Sequence, residues 1–318
     1  MSPHNGLQRV RFGLNMHPRW LSGEPASTFL TPLRQLGLTA LEFKVDVHDP
    51  DWPETEALIE ECQELGFALS FHAPHGDVYA LNGFTTGRES EIRNRWAPAV
   101  SFVAGMADQF GPSTLVLHGA KGDEPRRRLR RDTVAFARWM LRRSKHLRIA
   151  LEVRIREGGT VKVGDSRAEL VDLVSELGSE RVGICWDLGH DVRNGFSFTG
   201  VDWGFVSHVT HVHVHDVSPD GRDHYPLVFD NVPYQDCLKL LLEAGYRGNI
   251  ILEIDGCLVG ALAREMQVSP LCILHQSVRR LGELPSAQMA GEPADDPRKG
   301  ADASTDDPVR SPSGYHRG

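Results

Sequence analysis

The densest concentration of metal-ligand side chains lies at residues 209–224, VTHVHVHDVSPDGRDH. His211, His213 and His215 alternate with Val212 and Val214, and a period of two places the three imidazoles on one face of an extended strand. Asp216, Asp223 and His224 follow within one loop. Imidazoles and carboxylates without thiolates suit a divalent zinc, manganese, iron or cobalt ion. On an edge strand these histidines would decorate a solvated surface. On the inward face of a parallel barrel strand, near its carboxyl end, they would sit where barrel enzymes carry out chemistry. The choice depends on how the other strands end.

Six successive strand-like runs end in residues of the same kind: His72, His118, Glu152, Asp187, His213 and Glu253, with His190 just beyond Asp187. A solvated loop start explains one such residue but not a succession of them. In a barrel these ends converge on one mouth, although they are far apart in the chain. Glu152 and Glu253, on well-separated strands, would face opposite sides of a bound molecule, which suits removal of a proton beside a carbonyl and its return. Three ions held by a larger set would instead generate hydroxide and clamp a phosphodiester. The residue types permit both.

Around the expected mouth, Arg154 and Lys162 are candidates to hold a substrate phosphate or carboxylate. Trp186 either stacks on substrate or packs between strands and helices, and packing is favoured. Glu42 and His17, near the ends of the second and first strands, could add a polar wall.

The elements that must position these groups alternate along the chain. Strand patterns at 10–15, 39–45, 67–72, 113–118, 148–153, 182–187, 209–215 and 249–254 are interspersed with helical patterns at 26–36, 53–65, 90–110, 125–143, 166–177 and 234–244. Near-continuous apolar strands in this order predict an α/β fold, a closed (β/α)8 TIM barrel over residues 8–282, with a doubly wound open sheet as the alternative. Residues 283–318, rich in Pro, Gly, Ala, Ser, Asp and Arg, bury too little apolar surface to offset chain entropy and are expected to form a disordered tail.

Composition narrows the function classes. Hydrophobic residues make up 40% of the 318, enough for a large core, and no apolar run is long enough to span a bilayer. The amino-terminal MSPHNGLQRVRFGLN lacks a secretory apolar run, which points to the cytoplasm and away from a membrane partner. The five cysteines are scattered without a C-x-x-C pair and are expected to be buried small hydrophobes. A formal net charge of -8 disfavours nucleic acid as a partner. The arginine-rich helix at 125–143 is expected to be a solvated face paired with acids. No G-x-S-x-G elbow, phosphate loop or placed G-x-G-x-x-G occurs, which removes serine hydrolases, nucleotide hydrolases and dinucleotide enzymes. Homo-oligomerisation is left open.

The set formed by Phe71-His72-Ala73-Pro74, Leu117-His118-Gly119, Leu151-Glu152, Trp186-Asp187-Leu188-Gly189-His190, His213-Val214-His215-Asp216, Asp223-His224 and Leu252-Glu253 resembles the xylose-isomerase-like TIM-barrel superfamily. That group contains sugar and sugar-phosphate isomerases and epimerases together with abasic-site nucleases of the endonuclease IV class. The resemblance implies that Glu152, Asp187, His213 and Glu253 form a metal site, with Glu152 and Glu253 as the acid/base pair. It also implies that His72 and His118 match further ligands of the nuclease-like members. His190 with His224, helped by Asp223 or Asp216, would complete a third position, so the chain would hold one to three ions. His75 stands where the nucleases usually carry a tyrosine that helps open DNA. Val153 replaces an asparagine, and Leu227-Val228-Phe229-Asp230-Asn231 replaces a glycine-rich loop. His75 and the net charge of -8 favour a metal-dependent isomerase or epimerase acting on a small sugar-like substrate over an endonuclease IV-like nuclease, while Val153 and the 227–231 run bear on substrate contacts.

Overall fold

The strand-forming runs close on one another. The computed structural model describes residues 10–17, 25–45, 52–156 and 158–282. Its barrel strands are β1 (Arg11–Met16), β2 (Leu38–Lys44), β3 (Ala68–His72), β4 (Ser113–Leu117), β5 (Leu147–Glu152), β6 (Val182–Asp187), β7 (Val209–Val214) and β8 (Asn249–Leu252). They pair in parallel and in chain order, and β8 joins β1 from Arg11–Asn249 to Leu14–Leu252, so the sheet has no free edge. The open doubly wound sheet is thereby excluded. The tail expected over 283–318 lies outside the described residues.

Period-two alternation divides the apolar side chains into two cores. Val116, Ala150 and Cys185 form a small cluster of their own inside the barrel. Leu117, Ile149, Leu151, Trp186, Val212 and Leu252 belong to the large core beneath the surrounding helices. Thus the residue just before each strand-end ligand packs outward while the ligand itself faces in. Strand closure is tight at Gly13, where a Cβ would lie 2.7 Å from the Ala40 carbonyl oxygen and 2.5 Å from Ile251 Cδ1. Only glycine permits that approach.

The helices are α1 (Ala26–Gln35), α2 (Trp52–Glu64), α3 (Glu89–Phe110), α4 (Arg126–Leu141), α5 (Arg167–Leu177), α6 (Leu188–Arg193), α7 (Trp203–Val206), α8 (Tyr234–Glu243), α9 (Gly256–Glu265) and α10 (Pro270–Gly282). Local chemistry sets their ends. Ser166 accepts the Glu169 N–H at the start of α5, and Gly178, at φ 59°, ends it. The sequence reading places no helix at α6, α7, α9 or α10. The first two are too short to show a helical period, and α9 interrupts its apolar pattern with Gly256 and Gly260.

The basic face of α4 pairs with acids, as expected: Arg126 with Asp165 and Glu169, and Arg130 with Asp172 and Glu176. Cys62, Cys185 and Cys237 are buried, but Cys257 and Cys272 are exposed, because they fall outside the buried positions of their helices, Val259 and Ala263 in α9 and Ile273, Leu274 and Ser277 in α10. A two-residue antiparallel ribbon, Lys121–Gly122 with Val161–Lys162, ties together the loops after β4 and β5. No single helix among the described residues is long and apolar enough to cross a membrane.

Candidate metal centre

Glu152, Asp187 and His213 come from β5, β6 and β7, and Glu253 immediately follows β8; none is more than 4% exposed. Each presents one buried atom without a hydrogen-bond partner: Glu152 Oε1, Asp187 Oδ2, His213 Nδ1 and Glu253 Oε2. These four atoms converge. His213 Nδ1 lies 2.9 Å from Glu253 Oε2, 3.8 Å from Asp187 Oδ2 and 3.9 Å from Glu152 Oε1. Ligand atoms about 2.1 Å from a cation in a tetrahedron stand roughly 3.4 Å from one another, so the observed spacing brackets a metal shell. Orphaned buried polar atoms are rare in folded proteins, and a cation is a physical reason for several to meet at one point.

The remaining atoms of the same side chains are engaged, which fixes the orientation of the orphans. Asp187 Oδ1 accepts the His190 backbone N–H at 2.8 Å, capping α6. Glu152 Oε2 lies 2.7 Å from His118 Nε2 and 3.2 Å from His72 Nε2. His213 Nε2 lies 3.0 Å from Glu42 Oε1. In Asp187, Glu152 and His213 one atom is therefore anchored while the other faces the site.

Electrostatics matches this geometry. Burial, reinforced by Glu152 and Glu253 against the opposing pull of His190, raises the Asp187 carboxyl to about 8. Burial also works to raise Glu152, but His118, His190 and His213 hold it well below the usual carboxylate range. Burial works to lower His190, yet Asp187, Glu152 and Glu253 raise it to about 9. His118 goes the other way, lowered to about 3 by burial and the Arg154 guanidinium. Asp187, confined beside two other carboxylates, thus retains a proton, and a divalent cation would relieve the same repulsion.

Further ligand groups adjoin the four atoms. His72, His118 and Glu152 each bring one ligand atom within 4.8 Å of the others, as do Asp187, His190 and His215, and likewise His190, Asp223 and His224. Seven of the nine candidate ligands expected from the sequence, His72, His118, Glu152, His190, Asp223, His224 and Glu253, line one mouth with a volume of about 400 Å³, and Asp187 and His213 lie fully buried against them. Arg154 and Lys162 line it, as expected. Asp223 stands at the outer rim, paired with Arg193 at 2.8 Å. His224 adopts a left-handed φ of 59° and donates Nδ1–H to the Glu253 carbonyl, a strained backbone of the kind found at functional sites.

Several expectations are corrected. Trp186 does not reach the mouth: alternation turns it outward from its neighbour Asp187, and it packs on Phe198 and Phe205 with Nε1–H donated to Asp191. Asp216 is not a ligand; its oxygens accept backbone N–H groups from Val217, Val228, Phe229, Asp230 and Asn231, folding the loop that follows β7. His17 does not line the mouth, and Glu42 lies beneath it, fully buried.

Three residues outside the expected ligand and substrate-binding set have access to the site. His215 is fully buried with both ring nitrogens lacking a hydrogen bond, and the alternating run at 211–215 was its signal. Lys44 and His75 line the mouth; neither carries a spacing that marks it.

The model for a family described as xylose isomerase-like TIM barrel matches residues 30–268. An uncharacterised protein of Methanocaldococcus jannaschii is 25% identical over 118 residues, a match that spans 36% of this chain and 40% of that relative. D-allulose 3-epimerase of Methylomonas sp., solved with D-allulose, superposes with a TM-score of 0.63 at 15% identity over 87% of this chain and 98% of that one. D-psicose 3-epimerase of Clostridium cellulolyticum, solved with D-tagatose, gives a TM-score of 0.65 at 13% identity over 88% and 99%. Likeness at these identities establishes a shared fold.

Proposed function

The chain belongs to the xylose isomerase-like TIM-barrel family, and from that premise we propose that it is a metal-dependent isomerase or epimerase of a small sugar or sugar phosphate. The observation that carries this reading is the placement of Glu152 Oε1 and Glu253 Oε2 in one buried ring with Asp187 Oδ2 and His213 Nδ1. A divalent zinc, manganese, iron or cobalt ion held by these four side chains would polarise a carbonyl oxygen and acidify the adjacent C–H.

The chain's own residues then divide the work. Glu152, held ionised by its histidines, takes the proton from carbon, and the electron pair left behind moves onto the carbonyl oxygen. Glu253, three barrel strands away, returns a proton from the other side. His72 approaches both glutamates, at 3.2 and 3.8 Å, and fixes their separation. Lys44, Arg154 and Lys162 line the mouth with positive charge that suits a phosphate or a hydroxyl-rich substrate. The solved neighbours named as epimerases of allulose and psicose support the sugar class.

The test is incubation of manganese-loaded protein with a panel of ketoses and ketose phosphates in deuterated water. The reading expects deuterium at a carbon beside the carbonyl together with an epimer or isomer of one substrate. No exchange into any of them would refute it.

A second reading, an endonuclease IV-like abasic-site nuclease or other phosphodiesterase, is favoured by the surplus of ligands: His72–His118–Glu152 and His190–Asp223–His224 exceed what one cation needs. It expects chelator-sensitive incision of a duplex carrying one abasic site. The formal charge of -8 weighs against it.

A further inference from the structure

Glu42 sits on β2 with no exposure and does not line the mouth, yet its carboxylate holds three partners inside the barrel. Asn15 Nδ2 donates to Oε1 at 2.6 Å, His211 Nε2 lies 2.7 Å from Oε2, and His213 Nε2 lies 3.0 Å from Oε1. An ionised carboxylate can only accept hydrogen bonds. Both histidines must therefore carry their proton on Nε2. With Nε2 committed to Glu42, the Nδ1 of His213, the atom that meets Glu152, Asp187 and Glu253, is the nitrogen whose lone pair a bound cation would take.

The geometry points to Glu42 as the positioning residue of the metal centre: braced by Asn15 and His211 across the barrel interior, it fixes the tautomer and ring orientation in which His213 offers Nδ1 to a cation. This inference rests on the metal-dependent reading above. Glu42 itself touches neither the mouth nor the converging atoms, so its role is exerted through His213 alone. His211 has the corresponding supporting part. As the first histidine of the alternating run it faces inward like His213, but two residues deeper in the barrel, where its partner is Glu42 instead of a ligand group. The arrangement also explains why a carboxylate is tolerated at full burial: each of its two oxygens receives a donor.

Outer partners of this kind typically govern metal affinity by about 10- to 100-fold. Glu42→Gln preserves volume but offers one acceptor where two histidines and an asparagine need several. The experiment is titration of metal-stripped full-length protein with manganese against a competing chelator, wild type beside Glu42→Gln and His211→Gln. Wild type is expected to bind, Glu42→Gln about 10- to 100-fold more weakly, and His211→Gln by a smaller factor. In ¹⁵N-histidine spectra of the zinc-loaded wild type, which needs no variant to fold, His213 is expected to show a protonated Nε2 and a metal-shifted Nδ1. Equal manganese affinity in wild type and Glu42→Gln, or the opposite tautomer at His213, overturns the inference while leaving the metal centre intact. Absence of manganese binding by wild type overturns both.

Discussion

Glu152→Gln is the substitution that separates chemistry from scaffold. The side chain keeps its shape, so the fully buried position is neither emptied nor overfilled. What changes is charge and proton affinity. An amide cannot accept a proton from carbon, and it cannot accept from His118 at 2.7 Å and His72 at 3.2 Å through one oxygen while its other end faces the ring. Loss of a positioned general base costs typically 10²- to 10⁴-fold, so conversion is expected to fall by about 10³, equivalent to roughly 4 kcal/mol of barrier. The assay is epimer formation and deuterium incorporation from solvent, followed by proton NMR with manganese in excess so that weaker metal retention does not contribute. Circular dichroism of the same sample should match wild type. Retention of exchange within tenfold of wild type would refute Glu152 as the proton acceptor, whatever happened to the metal.

Three further outcomes follow from the structure. Asp216→Ala should lower Tm by about 5–10 °C, because it removes the acceptor for backbone N–H groups from Val228 to Asn231, a loss of roughly 2–3 kcal/mol; it should leave metal stoichiometry unchanged, and loss of an ion would restore Asp216 to the ligand set. Gly189→Ala should destabilise by about 1–3 kcal/mol in urea titrations, since a Cβ there would lie 2.0 Å from His215 Nε2, and a neutral result would displace His215 from its assigned place. Without a cation, Asp187 has its folded pKa raised from 3.8 to about 8. Its contribution to stability is therefore fully present below pH 3.8 and is lost as pH rises towards 8. A cation must displace that proton, so the gain in Tm on adding manganese should grow between pH 6 and about 8, and a gain that shrinks with pH would contradict the assignment.

Much of the centre was legible because a parallel barrel converts position along each strand into position in space. Once His72, His118, Glu152, Asp187, His213 and Glu253 are seen to end successive strands, closure alone brings them to one mouth. The same alternation decides Trp186, which lies next to Asp187 and must therefore point away from it. What was not legible depends on pairings across the barrel interior or within loops. Glu42 reads as an isolated charge on β2 until β7 is placed opposite it, 169 residues later, with His211 against its carboxylate. Asp216 has the composition of a ligand, and only the path of residues 228–231 around it reveals a loop anchor. Of the helices after β8, α9 escaped because Gly256 and Gly260 break its apolar pattern, whereas α10, with Pro270 at its start and Gly282 at its end, carried readable signals.

Four side-chain atoms, Glu152 Oε1, Asp187 Oδ2, His213 Nδ1 and Glu253 Oε2, are gathered where they would hold a divalent ion, and metal titration of stripped protein tests this directly. Wild type is expected to take up at least one manganese ion per chain. His213→Ala should bind it at least 100-fold more weakly, while Trp186→Phe, altered beside the site but outside it, should bind as wild type does. Failure of wild type to retain any ion, or undiminished binding by His213→Ala, would contradict the assignment of this centre.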